Sequence, residues 1–182
     1  MSSAGQDAAA PSPWSAHERV LAVLEGTAAT LEERPLDMPV VNVEVASVRE
    51  VLQRLKQRAG FAQCTLVTAV DHFPSEPRFE VVWQLLSHAH ADRVRVRARL
   101  APSTSSVPTC SDLWPGAGWS ERECFDMFGI RFDGHPDLRR LLMPEGYDHH
   151  PLRKDFPHRG IQPDRLYREW DQARREREAS YP

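Results

Sequence analysis

The segment from Glu121 to Pro157, ERECFDMFGIRFDGHPDLRRLLMPEGYDHHPLRKDFP, holds the densest set of chemistry-bearing side chains in the chain. His135, His149 and His150, with His158 just beyond, stand near Glu121, Glu123 and Asp126, residue types that ligate zinc or iron. Their spacing is poor for a metal. His149 and His150 are adjacent and would point apart in an extended chain, and no H-x-x-x-H or E-x-x-H pair occurs on a helix. Histidines that satisfy backbone groups in a loop are the plainer reading. Nucleophilic chemistry fares no better. Cys124 is flanked by carboxylates, which disfavour a thiolate, and lies on an apolar stripe as a buried thiol would. No serine or threonine sits in a nucleophile motif, and no glycine-rich phosphate loop is present.

A third chemistry is recognition. Arg122, Arg131, Arg139, Arg140, Arg153 and Lys154 alternate with Glu121, Glu123, Asp126, Asp137, Asp155 and aromatics through a proline-rich stretch. Irregular backbone leaves polar groups unpaired, and arginine and aspartate satisfy them through charge-assisted bonds. Proline lowers the entropy cost of ordering at an interface, where arginine and aromatics are enriched. A solvated loop held by local ion pairs is the competing reading and, for an isolated loop, the commoner one.

The elements that must position this segment follow from periodicity. Residues 1–14, rich in Ala, Ser, Pro and Gly, read as a mobile tail. Ser15 to Glu18 form a capping-box pattern before Val20, Leu21 and Leu24, with Gly26 as a stop. Val41, Val43 and Val45 alternate as a half-buried strand. Ser47 and Glu50 form a second capping box, and Val48, Val51, Leu52 and Leu55 make one helical stripe that Gly60 closes.

Three strands follow. Cys64–Val70 is β-branched, and Phe79–Leu86 is nearly all apolar and reads as central. Arg93–Leu100 alternates four arginines with Val94, Val96, Ala98 and Leu100. The arginine face could meet an acidic partner or be a solvated face that discourages edge pairing. Ser120 and Glu123 form a third capping box before Cys124, Met127 and Phe128, and Gly129 ends that helix. Residues from Ile130 to Pro157 read as extended, with one helical turn around Leu138, Leu141 and Leu142. A charged helix over 164–179 carries only Leu166, Tyr167 and Trp170 as an apolar stripe.

Short links between strands imply antiparallel pairing. The expected class is α+β, a mainly antiparallel sheet covered by helices, then an extended segment and a charged helix. The expected division is a tail over 1–14, a sheet domain over 15–130 and a docking segment with helix over 131–182.

Composition narrows function by exclusion. A chain of 182 residues with 41% hydrophobic and 27% charged residues suits one soluble domain with tails. A net charge of -3 argues against nucleic acid. Cys64, Cys110 and Cys124 make no C-x-x-C pair, so a disulfide framework and an iron–sulfur cluster within this chain are both disfavoured, and a reducing compartment is expected. The N-terminus lacks the pattern of a signal peptide, and no run reaches 18 apolar residues, so contact with a membrane would run through partners.

The ordered residues carry a resemblance. Glu121-Arg-Glu, Phe125, the run DMFGI from Asp126, GHPDLRR from Gly134 to Arg140, and HPLRKDFP from His150 to Pro157 resemble the signature of the 30 kDa, or C-type, subunit family of NADH-quinone oxidoreductase, respiratory complex I. FEVVWQLLS, the arginine-rich strand, Ser106-Val107 and Trp119 before ERE extend the likeness over roughly residues 40–157. His149 departs from it, since the family has glycine there, and His is less tolerant of positive φ; position 124 varies in the family.

The resemblance implies an α+β domain in the hydrophilic arm, on the cytoplasmic face of the bacterial inner membrane. It implies no cofactor in this chain, with FMN, iron–sulfur clusters and quinone held by partner subunits, those of the B and D types being its chief neighbours. It further implies a partner interface along Glu121, Arg122, Glu123, Asp126, His135, Asp137, Arg139, Arg140, His150, Arg153, Lys154 and Asp155. The alternatives are the equivalent subunit of a membrane-bound hydrogenase or of a ferredoxin- or F420-dependent dehydrogenase, and, from another class, a free-standing His-rich metalloenzyme.

Overall fold

The computed structural model describes residues 13–32, 37–101, 106–157, 161 and 165–179. The expected tail lies outside the described residues up to position 12, as does His158. Among the described residues, α1 spans Pro13–Leu24, β1 Ala29–Leu31, β2 Val40–Val43, α2 Val48–Gln57, β3 Gln63–Asp71, β4 Phe79–Ser87, β5 Asp92–Leu100, β6 Ser106–Pro108, α3 Ala117–Phe128, β7 Arg131–Asp133 and α4 Arg165–Ala179.

The main sheet has the order β1-β2-β5-β4-β3. The β3–β4 and β4–β5 pairs are antiparallel, as short connections dictate, whereas β2 joins β5 in parallel after the crossover through α2. The fold is α+β, as expected. β4 is flanked on both sides, but the middle of the sheet belongs to β5. β1 and the β6–β7 pair have too few residues to show a period and are not legible in the sequence.

Alternation sorts each strand. Val67 and Ala69 of β3, Val81, Trp83 and Leu85 of β4, and Val94, Val96, Ala98 and Leu100 of β5 enter one core with Val20, Val23 and Leu24 of α1, the α2 stripe, and Cys124, Met127 and Phe128 of α3. Trp83, Phe61, Leu52, Leu55 and Phe132 are among its largest fully buried side chains. On the opposite face of β5, Arg95 pairs with Asp37, Arg97 with Glu32 and Asn42, and Arg99 with Glu80.

Helix ends follow glycine more faithfully than serine. Gly129 caps α3 at φ 77°, its N–H reaching Phe125 O at 2.9 Å. After α2, Gly60 at φ 76° lets Phe61 N–H return to Leu55 O at 3.2 Å. The three capping-box expectations need correction. Ser47 stands at the N-cap of α2 without a side-chain cap bond, because a 3-10 turn over Val45–Ser47 leaves it with φ -99° and ψ -4° rather than extended backbone. Ser15 and Ser120 lie inside α1 and α3, which begin at Pro13 and Ala117. Proline suits the first helical position, where its missing N–H is no loss.

Candidate functional site

Two carboxylates on α3 organise the segment. Glu121 falls on the helix's buried stripe with Ala117, Cys124 and Phe128 and is 0% exposed. A buried carboxylate there requires partners. Oε1 accepts from Cys110 N–H at 2.7 Å and Oε2 from Thr109 Oγ1 at 2.5 Å, which fixes the loop after β6. Arg49 of α2 holds the same loop through Thr109 O and a two-point pair with Asp112.

Asp126 is also 0% exposed. Its Oδ2 accepts the N–H groups of Leu141, Leu142 and Met143 at 3.0, 2.6 and 2.9 Å, and its Oδ1 accepts Arg140 Nη1 at 2.7 Å. Burial alone would raise its pKa, but the three amides and the guanidinium together hold it below the ordinary carboxylate range. Three successive N–H groups aimed at one oxygen draw the chain into bends over 141–143, so no helical turn forms around Leu138, Leu141 and Leu142, contrary to expectation.

Downstream, the chain returns along α3. Arg122 donates to Arg139 O at 3.1 Å and to Arg140 O at 2.9 Å. His150 Nδ1 meets Asp126 O at 2.9 Å, Leu152 N–H reaches Met127 O at 3.2 Å, and Arg153 Nε donates to Phe128 O at 2.6 Å. Since a carbonyl only accepts, His150 donates from Nδ1, and burial lowers its pKa, favouring the neutral ring. Gly129 makes this return possible. A Cβ there would lie 2.5 Å from His150 Nε2 and collide with the Arg153 guanidinium. His149 points elsewhere, its ring beside Tyr147 and Phe156.

The segment ends on the sheet, at two residues that sequence reading missed. Arg78 makes a two-point bond to Asp71, at 2.9 and 2.8 Å, and another to Asp155, at 2.9 and 2.8 Å. Its guanidinium also lies over the rings of Phe73 and Phe79, and Arg153 lies over Phe79. Asp71 additionally accepts Lys154 N–H at 2.8 Å and Phe73 N–H at 3.0 Å. The Arg78 bond holds the Asp71 carboxyl well below its usual range and lowers the pKa of Asp155. One signal was available: the alternation of Val67 and Ala69 places Asp71 on the apolar face, where it is 4% exposed.

The expected interface residues thus divide. Glu121, Asp126, Arg140, His150 and Arg153 face inward and hold the ribbon to its own domain. Glu123, Asp137, Arg139, Lys154 and Asp155 have exposed side chains, with Arg139 paired to Asp137. His135 has both ring nitrogens engaged: Nδ1 accepts Asp137 N–H at 3.0 Å, which leaves Nε2 to donate to Gly118 O at 3.1 Å. Among the described residues, no three His, Cys, Asp or Glu side chains converge as a metal site would require. Cys124 is buried with its thiol on Val67 O, and burial pushes its pKa up. Trp119, Leu142, Leu152 and Phe73 stand exposed along the same path. No described helix is long and apolar enough to cross a membrane.

Comparison with known proteins bears on this arrangement. The family model described as "Respiratory-chain NADH dehydrogenase, 30 Kd subunit" matches residues 41–162. The C-type subunit of the NADH-quinone oxidoreductase of Rhodopseudomonas palustris is 46% identical over 123 residues, covering 66% of this chain and 61% of that protein. Its counterpart from Citrifermentans bemidjiense is 45% identical over 125 residues, covering 69% and 76%. Among solved structures, the trypsin-resistant fragment of Nqo5 superposes with a TM-score of 0.61 at 31% identity, covering 68% of this chain and 99% of the fragment. A chain of the membrane-bound sulfane sulfur reductase, described as an archaeal respiratory membrane complex, superposes with a TM-score of 0.69 at 26% identity, covering 79% and 86%.

Proposed function

This chain belongs to the 30 kDa subunit family of respiratory-chain NADH dehydrogenase, and from that premise we propose that it is a non-catalytic scaffold subunit of the peripheral arm of a proton-translocating NADH:quinone oxidoreductase. In this reading it docks on the quinone-site subunits, of the D and B types, at the cytoplasmic face of the inner membrane. FMN, iron–sulfur clusters and quinone reside in partner subunits, and membrane contact runs through them.

One observation supports the reading above the others. Buried Glu121 is engaged by Thr109 and Cys110 of the loop after β6, and buried Asp126 by Arg140 and the 141–143 amides that shape the 121–157 ribbon. A general acid or base needs a reach to substrate and a pKa near working pH. Asp126 is instead shifted away from neutrality, and His135 offers no free nitrogen. A ribbon held rigidly on a sheet lowers the entropy cost of being clasped by another protein.

A second reading is the equivalent subunit of a related membrane-bound complex with another electron donor. It draws on the likeness to the sulfane sulfur reductase chain. Affinity purification of the tagged chain from membranes in mild detergent separates the possibilities. Co-purification with NADH-oxidising and quinone-site subunits is the expected outcome. A hydrogenase or ferredoxin-type input module would favour the second reading. A lone chain carrying stoichiometric zinc or iron would overturn both and favour the free-standing metalloenzyme.

A further inference from the structure

Beside the N-terminal turn of α3 lies a cleft of about 430 Å³, walled by Trp119, Arg122, Asp112, Pro136 and Asp137, with His135 at its base. Its floor is already satisfied. The His135 side chain is almost wholly buried, with one ring nitrogen on Gly118 O and the other on Asp137 N–H. Gly118 allows this approach, since a Cβ there would stand 3.3 Å from His135 Nε2. The floor therefore has no ring nitrogen to offer a ligand.

The walls differ in how far they are matched. Asp112 is paired at two points with Arg49, and Asp137 is paired with Arg139 at 3.0 Å. Arg122 has no carboxylate partner among the described residues. Its Nε and Nη2 donate to the carbonyls of Arg139 and Arg140, while Nη1 has no acceptor among the described residues. The guanidinium lies 5.2 Å from the centroid of the Trp119 ring, and Trp119 is 62% exposed. The unmatched charge of the cleft is thus one positive guanidinium, presented beside a large, exposed aromatic surface.

Tryptophan and arginine are the residue types that dominate binding when buried at the centre of an interface. A carboxylate is the group that complements an arginine edge, and an apolar side chain is what a bare indole face covers. A small anion would gain only the first of these contacts. We propose that this cleft receives a segment of a partner protein that places an aspartate or glutamate on Arg122 with an apolar side chain against Trp119. The proposal rests on the scaffold reading above and names the chemistry of the docking segment. The other charges nearest the cleft, Asp112, Asp137 and Arg139, are already paired within the chain.

The test uses the full chain in its native membranes. A photo-crosslinking residue, p-benzoylphenylalanine, replaces Trp119, and as a control it replaces Leu66 on β3. Mass spectrometry of the product at 119 is expected to map to another subunit, within a few residues of an Asp or Glu. Trp119→Ala should lower the recovery of that subunit with the tagged chain by at least about tenfold, with an unchanged circular dichroism spectrum and urea midpoint. A cross-link to a non-acidic segment, to a second copy of this chain, or to no protein while the complex still assembles would overturn the proposal and leave the scaffold reading standing. Undiminished recovery with folded Trp119→Ala would do the same. Failure of the unsubstituted chain to join any complex would sink both.

Discussion

Removing the Asp126 carboxylate is the most informative single perturbation of the ribbon. In Asp126→Ala, three backbone N–H groups lose their acceptor and Arg140 loses its counter-charge. Breaking a buried ion pair from one side costs roughly 3–5 kcal/mol. Two features place the effect near the lower end. Arg140 Nη1 keeps the carbonyls of Asp126 and His149 within 3.3 Å, and Leu142 is exposed enough for water to reach the freed amides. The expected loss is therefore about 3 kcal/mol, or roughly 150-fold in the folding equilibrium, against the 5–15 kcal/mol typical of a domain. Urea unfolding followed by circular dichroism measures it, and hydrogen exchange at Leu141–Met143 should speed up first. Glu123→Ala, at an exposed neighbour on the same helix, should stay within about 0.5 kcal/mol. An Asp126→Ala chain as stable as its parent would refute the reasoning, because the carboxylate would then not be what holds the ribbon.

Other outcomes follow from the same geometry. Gly129→Ala combines a φ of 77° with the collision against Arg153 and should cost at least about 2 kcal/mol in the same unfolding assay. Arg78→Ala leaves the Asp71 carboxylate buried without its counter-charge and should cost about 3–5 kcal/mol, with faster exchange around Lys154. On acidification, His150 and the aspartates Asp71, Asp126 and Asp155 all have folded pKa values below their unfolded ones, so the unfolded state takes up protons first. The urea midpoint should begin a shallow fall below about pH 6.5 and a steeper one below about pH 4, and Asp71→Asn should blunt the steeper limb. Alkylation at pH 8 should label half-buried Cys64 first, since Cys110 and Cys124 are buried with thiol pKa values pushed up, and should reach those two only on unfolding.

Much of the fold was legible because its period is strong. The stripe Val48, Val51, Leu52 and Leu55 and the alternation of Arg93–Leu100 each admit one element type, and both form. The starts of α1 and α3 were misplaced because a serine followed three residues later by glutamate recurs inside helices. At Ser47 the spacing places the start of α2 correctly, but the 3-10 turn before it sets the backbone conformation that costs the side-chain cap bond, and local spacing does not reveal that turn. The division of the ribbon's charges was hidden for another reason. Whether Asp155 pairs within the chain depends on Arg78, 77 residues earlier in sequence, and no local window contains that contact. Glu121 was partly legible, as a carboxylate on the stripe of Ala117, Cys124 and Phe128. Trp119 and Arg122 are three apart on one helix, but which arginine is left unmatched is a property of the folded surface alone.

The scaffold role is tested most directly by replacing Arg153 or Asp155 with alanine in the native host and measuring two quantities in the same membranes: the amount of assembled complex on native gels, and NADH:quinone turnover per assembled complex. The expected result is less complex, turnover per complex unchanged and cofactor content of this chain unaltered. Normal amounts of complex with lost turnover would contradict the scaffold role and assign these residues a direct part in the reaction.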